Sequence, residues 1–137
     1  GLGGNDTLAG GAGTDFLAGG TGNNTYLFNR GDGVDTILYS GDTAGARLNV
    51  VRLGAGILPA DLVLKRALDS QTNRYSALQI CIAGTADRLV INYFVEGDSP
   101  TNSQNPVQQL QFDNGTIWTA DRGMHDAVQQ PIPVASV

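Results

Sequence analysis

The sequence predicts an all-β fold made of two unlike parts, and two observations support that prediction. Fifteen of the 19 glycines precede residue 57, whereas later residues alternate between apolar and polar types. Twelve of the 13 acidic residues are Asp, and only Lys65 among the eight basic residues is Lys. Since Asp and Gly favour turns while Glu and Lys favour helices, this composition is unfavourable for a helical protein.

Charge and residue usage argue against several classes of function. The net charge of −5 is unfavourable for a nucleic-acid or anionic-membrane partner, because both need a basic protein face. No apolar run reaches the roughly 20 residues of a membrane span, so no transmembrane segment is predicted. Cys81 is the only cysteine, which excludes an internal disulfide. A secreted protein would then need another way to stabilise its glycine-rich half.

A nine-residue repeat fills the start of the chain. Its copies read GLGGNDTLA (1–9), GGAGTDFLA (10–18), GGTGNNTYL (19–27) and, after a two-residue insertion, RGDGVDTIL (30–38). Glycine dominates the first, second and fourth positions, Asp or Asn occupies the sixth, and an apolar residue occupies the eighth. A flexible glycine-rich linker has no need of periodic Asp and Leu, so we interpret the repeat as a structural unit.

The residue types of the repeat predict a calcium site. Glycines allow backbone carbonyl oxygens to crowd together, and the sixth-position side chain adds a carboxylate beside them. Calcium takes roughly six to eight oxygen ligands, whereas zinc prefers His and Cys. The stretch from Asp32 is not an EF-hand loop, because Thr43 stands where its twelfth-position Glu would be.

The segment GGAGTDFLA (10–18) resembles, position for position, the nonapeptide of the RTX (repeat-in-toxin) family, and residues 19–37 resemble the last unit of such an array. The resemblance implies a parallel β-roll in which two nonapeptides form one turn and alternate units stack, with calcium between their glycine turns. The unit at 1–9 would then face the unit at 19–27, and the unit at 10–18 would face the unit at 30–38.

The resemblance also implies which residues would bind the ions. The lower turn of each pair would contribute the carbonyl oxygens of its first and third positions, and the upper turn those of its second and fourth positions. These carbonyls belong to Gly1, Gly3, Gly10 and Ala12 in the lower turns and to Gly20, Gly22, Gly31 and Gly33 in the upper turns. Side-chain oxygens would come from Asp6, Asp15, Asn24 and Asp35. We expect one or two calcium ions within these residues.

Two departures from the family pattern affect the expected strength of the sites. Asn24 replaces an Asp and carries no charge, so the site of Asp6 and Asn24 should be the weaker one. For Asp15 to stack on Asp35, the inserted residues 28–29 would have to loop out of the roll.

The second half of the chain alternates between apolar and polar residues, which predicts short strands. The predicted strands cover 48–53, 62–66, 76–82, 88–94, 110–112 and 116–118, with one helical turn at 59–61 and an exposed loop at 98–106. Asn114-Gly115 lies between the last two strands and predicts a hairpin, because both residues tolerate positive φ.

The second half also resembles a known module. Its segments LGAGILPADLVLKR, IAGTADRLVINYF and LQFDNGTIW resemble the haemolysin-type calcium-binding-related domain that commonly follows RTX arrays, over about residues 48–120. The predicted fold is therefore a short calcium-binding parallel β-roll, capped by a C-terminal antiparallel β-sheet module that covers its exposed end. We divide the chain into a β-roll (1–38), a linker (39–47), a capping domain (48–121) and a C-terminal tail (122–137).

No arrangement of residues indicates catalysis. Cys81 and His125 are the only members of their types, and a cysteine nucleophile would need the histidine beside it. Tyr93, Phe94 and Trp118 could line a sugar-binding surface, but packing in the core is the more common role of such residues. We therefore expect that this chain is not an enzyme.

The expected function is that of a calcium-dependent folding and capping module of a secreted bacterial protein. The RTX resemblance implies export by type I secretion, in which the chain travels unfolded and folds outside the cell. Because the chain begins at Gly1, inside a repeat and without methionine, we expect its partners to be calcium and upstream repeats of the same parent chain. The alternatives are an adhesin module that binds cell-surface glycans, and the C-terminal part of a secreted hydrolase or toxin whose active domain lies upstream.

Overall fold

The computed structural model describes residues 3–41, 47–95 and 103–120 of the chain. Within these ranges it contains ten β-strands, one 3₁₀ turn (Pro59–Asp61) and no α-helix. The strands are β1 (Thr7–Ala9), β2 (Thr14–Leu17), β3 (Thr25–Phe28), β4 (Val34–Ile37), β5 (Val50–Leu53), β6 (Leu62–Ala67), β7 (Ala77–Ile82), β8 (Arg88–Ile91), β9 (Gln109–Gln111) and β10 (Ile117–Thr119). None of the described segments is a helix that could cross a membrane.

The strands form two five-stranded sheets. The first sheet has the order β1-β3-β5-β9-β10, and the second has the order β2-β4-β8-β7-β6. Strands β1, β3, β5 and β9 are parallel to one another, as are β2, β4 and β8. Among the described strands, antiparallel pairs occur only in the C-terminal part, between β9 and β10, β6 and β7, and β7 and β8. The predicted all-β class, a parallel roll followed by antiparallel strands, is confirmed.

The roll passes into the C-terminal segment, by which we mean the described residues from 48 to 120, without a break in either sheet. Strands β5 and β9 continue the parallel stack of the first sheet beyond the repeats, and β8 continues that of the second sheet. The division of the chain at residue 48 stays a prediction. Parts of the linker (42–46), of the predicted exposed loop (98–102) and the whole tail (122–137) lie outside the described residues.

An apolar cluster connects the two sheets. The repeats contribute eighth-position side chains, which share one side of their strands because alternate strand residues point the same way. The C-terminal segment contributes more members than the repeats do. The cluster includes Leu17, Tyr26 and Ile37 from the repeats, Phe28 from the insertion, and Val51, Leu78, Ile80, Ile82, Leu89, Ile91, Phe94 and Leu110 from the C-terminal segment. Because each such side chain stabilises the fold by roughly 1.5–3 kcal/mol when buried, the repeats depend on the C-terminal segment for their core.

The strand predicted over 88–94 is shorter in the structure, where β8 ends at Ile91. Tyr93 has a φ of +60°, and its amide donates a hydrogen bond to the buried Asp69 carboxylate (2.6 Å). The same carboxylate accepts bonds from two amides of its own loop and from the Ser76 hydroxyl. This contact turns the chain away from the sheet, and alternation of residue types could not reveal it.

The hairpin predicted at Asn114-Gly115 is confirmed. Strands β9 and β10 pair antiparallel on either side of it, and Gly115 has a φ of +93°. Trp118 packs edge-on against Phe112 with ring centroids 5.0 Å apart, and Phe94 is fully buried. Packing therefore accounts for these aromatic side chains.

Candidate metal centre

The first and third repeats stack in register. Strand β1 pairs with β3 so that Thr7 lies opposite Thr25. The amide of Asp6 donates a hydrogen bond to Asn24 Oδ1 (2.9 Å), 18 residues away. The amide of Thr25 donates in turn to the Asp6 carbonyl oxygen (2.8 Å). The predicted stacking of units 1–9 and 19–27 is therefore present.

The second and fourth repeats also stack, despite the insertion between the third and fourth copies. Asp15 lies opposite Asp35, and its amide donates a hydrogen bond to Asp35 Oδ1 (3.1 Å), 20 residues away. The condition set for this pairing, that both inserted residues loop out, is wrong for Phe28, which ends β3 and is 1% exposed. Burial of this large apolar side chain keeps it in the sheet. Asn29 lies in the turn that follows, where its amide donates to Asp32 Oδ2 (2.9 Å).

The glycine turns of stacked repeats touch at their fourth positions. A Cβ atom at Gly22 would lie 2.3 Å from the carbonyl oxygen of Gly4, and one at Gly33 would lie 2.4 Å from that of Gly13. Gly22 and Gly33 also have positive φ values of 95° and 79°. Only glycine fits these positions. The backbones of two successive turns are therefore in direct contact at these positions, where the resemblance places the cation.

The sixth-position side chain folds back over the first position of its own repeat. A Cβ atom at Gly10 would lie 2.7 Å from Asp15 Oδ2, and one at Gly19 would lie 2.6 Å from Asn24 Nδ2. Glycine at the first position therefore leaves room for this side chain. Gly10, a predicted carbonyl ligand, consequently lies beside the predicted carboxylate ligand of its own repeat.

The other predicted ligands lie in the same turns. Gly3 approaches the third repeat, since a Cβ atom there would be 3.3 Å from a threonine hydroxyl of that repeat. Ala12 is exposed in the second turn. The Gly20 carbonyl accepts a hydrogen bond from Asn24 Nδ2 (3.2 Å). Gly1 lies outside the described residues, and the ligand set as a whole stays a prediction.

The turn of the fourth repeat is closed by a residue that sequence analysis missed. Asp87 accepts hydrogen bonds from the amides of Gly31 (2.8 Å) and Gly33 (3.0 Å). These two bonds hold the pKa of Asp87 below its ordinary value of 3.8. In the same turn, Arg30 forms an ion pair with Asp61 (3.1 Å). No periodic signal marks Asp87, because it lies 54 and 56 residues from its two partners.

Three carboxylate oxygens of the repeats find no hydrogen-bond partner within the described part of the chain. Among the described residues, no donor reaches the buried Oδ2 atoms of Asp6, Asp15 and Asp35, which all occupy sixth positions. Proteins pair nearly all buried polar atoms, because an unpaired one costs about 1–3 kcal/mol and a charged one costs more. A cation would remove this cost, and an all-oxygen donor set suits calcium.

The side chains alone do not form a metal cage. Within the described residues there is no cluster of three or more His, Cys, Asp or Glu side chains. A cation at the turns would therefore take most of its ligands from backbone carbonyls, as in the predicted ligand set. This favours calcium over zinc, which needs nitrogen or sulfur ligands.

Asp35 shows how unfavourable these carboxylates are without a cation. Burial raises the pKa of Asp35 from 3.8 to about 6; the amide of Asp15 lowers it, while the charges of Asp15 and Asp32 raise it further. A raised pKa means that the folded, calcium-free chain favours the protonated carboxyl. This contribution to stability is complete below pH 3.8 and is lost as the pH rises through about 6. At neutral pH a bound cation could take the place of the proton and restore the lost stability.

Asp15→Ala is expected to weaken calcium binding more than Asp6→Ala. Asp15 is paired with a second carboxylate, whereas Asp6 is paired with the neutral Asn24. Removing one charge from a partly buried charged site commonly costs about 3 kcal/mol. Isothermal titration with calcium measures both losses, and Asp113→Ala in the exposed hairpin turn is the control. A larger loss for Asp6→Ala would contradict the ranking.

Comparison with known families agrees with this geometry. Residues 1–26 match the model of the RTX calcium-binding nonapeptide repeat (4 copies). Residues 78–122 match the model of the haemolysin-type calcium binding protein related domain. The first of these families is a calcium-binding repeat and the second is related to calcium-binding proteins, so calcium is the ion that these repeats indicate. No curated protein sequence matches the chain.

Proposed function

We propose that this chain, in which RTX repeats precede a haemolysin-type calcium-binding-related domain, is a calcium-dependent folding and capping module of a secreted bacterial protein. The main support is the contrast between its two parts. The repeats keep buried carboxylate oxygens to which no residue in the described ranges donates. The C-terminal segment offers hydrogen-bond partners to the last repeat, as at Asp87, and completes the apolar core.

The proposed mechanism follows from the charges in the turns. Where calcium is scarce, sixth-position carboxylates and crowded carbonyl oxygens repel one another, so the repeats that carry these carboxylates stay open. Calcium, once bound between stacked turns, would replace repulsion by coordination. The strands of the repeats then pair and bury their apolar side chains against the C-terminal segment. Secretion of the unfolded chain by a type I pathway fits this dependence, because calcium is abundant only outside the cell.

Upstream repeats of the same parent chain are the proposed protein partner. Strands β1 and β2 are the edge strands of the two sheets at the repeat end. Their unpaired edges suit addition of further parallel strands, as in a solenoid whose repeats contact only their neighbours. The two sheets would then continue through those repeats.

The alternatives have less support. Two of the aromatic side chains considered for a glycan-binding adhesin surface serve in packing instead: Phe94 is buried, and Trp118 packs against the core. For catalysis, Cys81 accepts a hydrogen bond from Gln79 Nε2 (3.2 Å), and His125 lies outside the described residues. We propose that the chain itself is not an enzyme and that any hydrolase or toxin activity belongs to a domain upstream.

Calcium, but not magnesium, is expected to order the repeats. Magnesium gives up its water ligands reluctantly and prefers a strict octahedron, whereas calcium accepts a flexible set of carbonyls and carboxylates. Circular dichroism of the chain, titrated with each ion after chelation, measures the gain of β-structure. A response to calcium alone is the expected result. An equal response to both ions, or none to calcium, would contradict the proposed function.

A further inference from the structure

The sixth-position column of the first sheet continues beyond the repeats. Its residues in successive layers are Asp6, Asn24, Asn49 and Gln108, as fixed by the pairing of β1, β3, β5 and β9. The backbone amide of each of the first three residues donates to the side-chain oxygen of the residue in the next layer. The distances are 2.9 Å to Asn24 Oδ1, 2.7 Å to Asn49 Oδ1 and 2.7 Å to Gln108 Oε1. The carboxylate of the first layer is thus followed by three carboxamides. We call Asn24, Asn49 and Gln108 the amide ladder.

The side-chain nitrogens of two of the three amide-ladder residues donate to backbone carbonyls. Asn24 Nδ2 donates to the Gly20 carbonyl (3.2 Å), and Gln108 Nε2 donates to the Asn105 carbonyl (2.8 Å). In both cases the acceptor lies in the turn that precedes the ladder residue. Each of these two carboxamide side chains therefore accepts a hydrogen bond from the neighbouring layer through its oxygen and donates one to a carbonyl of its own turn through its nitrogen. A carboxylate cannot do both without a cation, because it has no donor.

The corresponding column of the second sheet lacks such an arrangement. Asp35 accepts the Asp15 amide through Oδ1, as Asn24 does in the first sheet, but its Oδ2 atom has no donor. The next residues of this column are Leu89 and Ile80, which have no polar side-chain atoms. The side chains of this column leave the Asp35 Oδ2 atom for a proton or a bound cation to satisfy.

A positive charge of the protein itself lies at the end of the amide ladder. Arg47 is only 9% exposed, and its Nη2 atom donates to the carbonyls of Ser103 (2.7 Å) and Asn105. Counting back from Gln108 as a sixth position, these two residues occupy the first and third positions of their turn. In the repeats, the RTX resemblance assigns the carbonyls of those positions to calcium. Here a guanidinium occupies them.

We propose that the amide ladder, together with Arg47, takes the place of calcium in the first sheet, so that the layers from Asn24 onward fold without an ion. The layer of Asp15 and Asp35 in the second sheet then requires one, an assignment that rests on the proposed function. The ladder keeps β3, β5 and β9 aligned at low calcium. These aligned strands thereby form a sheet edge before calcium binds, and the calcium-dependent repeats pair with that edge in the correct register.

Asn24→Asp tests this role, because it restores the carboxylate of the repeat pattern and presents an oxygen to the Gly20 carbonyl in place of a donor. In calcium-free buffer the substitution is expected to lower the Tm by roughly 5 °C or more. Calcium is expected to bring the Tm back to that of the wild type. Asp35→Asn is the reverse change. It is expected to raise the calcium-free Tm and to reduce the further rise that calcium causes.

Asn114→Asp is the matched control, since Asn114 also accepts a backbone amide (3.0 Å) but lies in the exposed hairpin turn. It adds the same charge and should leave the calcium dependence of the Tm unchanged. An Asn24→Asp variant with an unchanged calcium-free Tm, or with a loss that calcium does not restore, would overturn the ladder proposal. If the Tm of the wild-type chain does not change when calcium is added, the proposed function is contradicted instead. A calcium response gained by Asn24→Asp in that chain would still support the ladder.

Discussion

A chain shortened to residues 1–47 is expected to remain unfolded even in excess calcium. The cut removes β5 and β8, which pair with β3 and β4 and supply the neighbours of Phe28 and Ile37. Ions can neutralise the turns, but they cannot replace buried apolar surface. Fewer than about three stacked repeats seldom bury enough to fold alone. The short chain therefore loses most of its folding free energy.

Amide dispersion in a two-dimensional NMR spectrum measures this effect. The short chain in calcium should give the narrow range of shifts of an unfolded peptide, and the whole chain in the same buffer is the control. A well-dispersed spectrum of residues 1–47 would show that calcium alone folds the repeats. The capping role of the C-terminal segment would then be wrong.

Gly33→Ala is expected to destabilise the calcium-bound chain by about 3 kcal/mol or more. The new methyl group would lie 2.4 Å from the Gly13 carbonyl oxygen, which also accepts the Val34 amide bond (3.0 Å). The two turns would have to separate, and that hydrogen bond and the cation site between the turns would be lost. The positive φ adds about 1–2 kcal/mol.

Gly31→Ala, in the same turn, separates the cost of the steric contact from the cost of the positive φ. Gly31 has a φ of +90°, but no atom lies within 4 Å of the position its Cβ would occupy. It should therefore lose only the backbone contribution of about 1–2 kcal/mol. Urea unfolding of both variants in saturating calcium compares the two losses. Equal losses would mean that the contact between stacked turns is not tight, which would contradict the geometry of the candidate centre.

The repeats were predictable because their information is periodic. Columns of glycine and Asp predicted the stacking of Asp6 on Asn24, and the structure has this pairing. The partnership of Asp15 with Asp35 was also predictable, although its stated condition was wrong. From sequence spacing alone, both inserted residues were expected to leave the strand together. Phe28 instead stays in the strand because its side chain is buried in the core.

The residues that extend the amide ladder or close the fourth turn could not be predicted in this way. Asn49 and Gln108 continue the column of the first sheet, but Asn49 lies 25 residues from Asn24 and Gln108 lies 59 residues from Asn49. The strands β6–β8 occupy the sequence between those two residues and belong to the other sheet. Asp87 likewise reaches the fourth turn only through the pairing of β4 with β8. Such contacts follow from sheet topology and leave no local pattern.

Hydrogen exchange of individual amides, compared in calcium and in chelator, tests the central claim most directly. The amides of Asp15 and Val34, which bond across the candidate centre, should be protected in calcium and exchange rapidly without it. The amide of Val50 bonds to the Asn24 carbonyl and that of Ala120 to the Gln108 carbonyl, so both bonds lie along the amide ladder and both amides should stay protected in both buffers. Equal protection of all four amides with and without calcium would contradict the claim that the ion orders the repeats against a preformed cap.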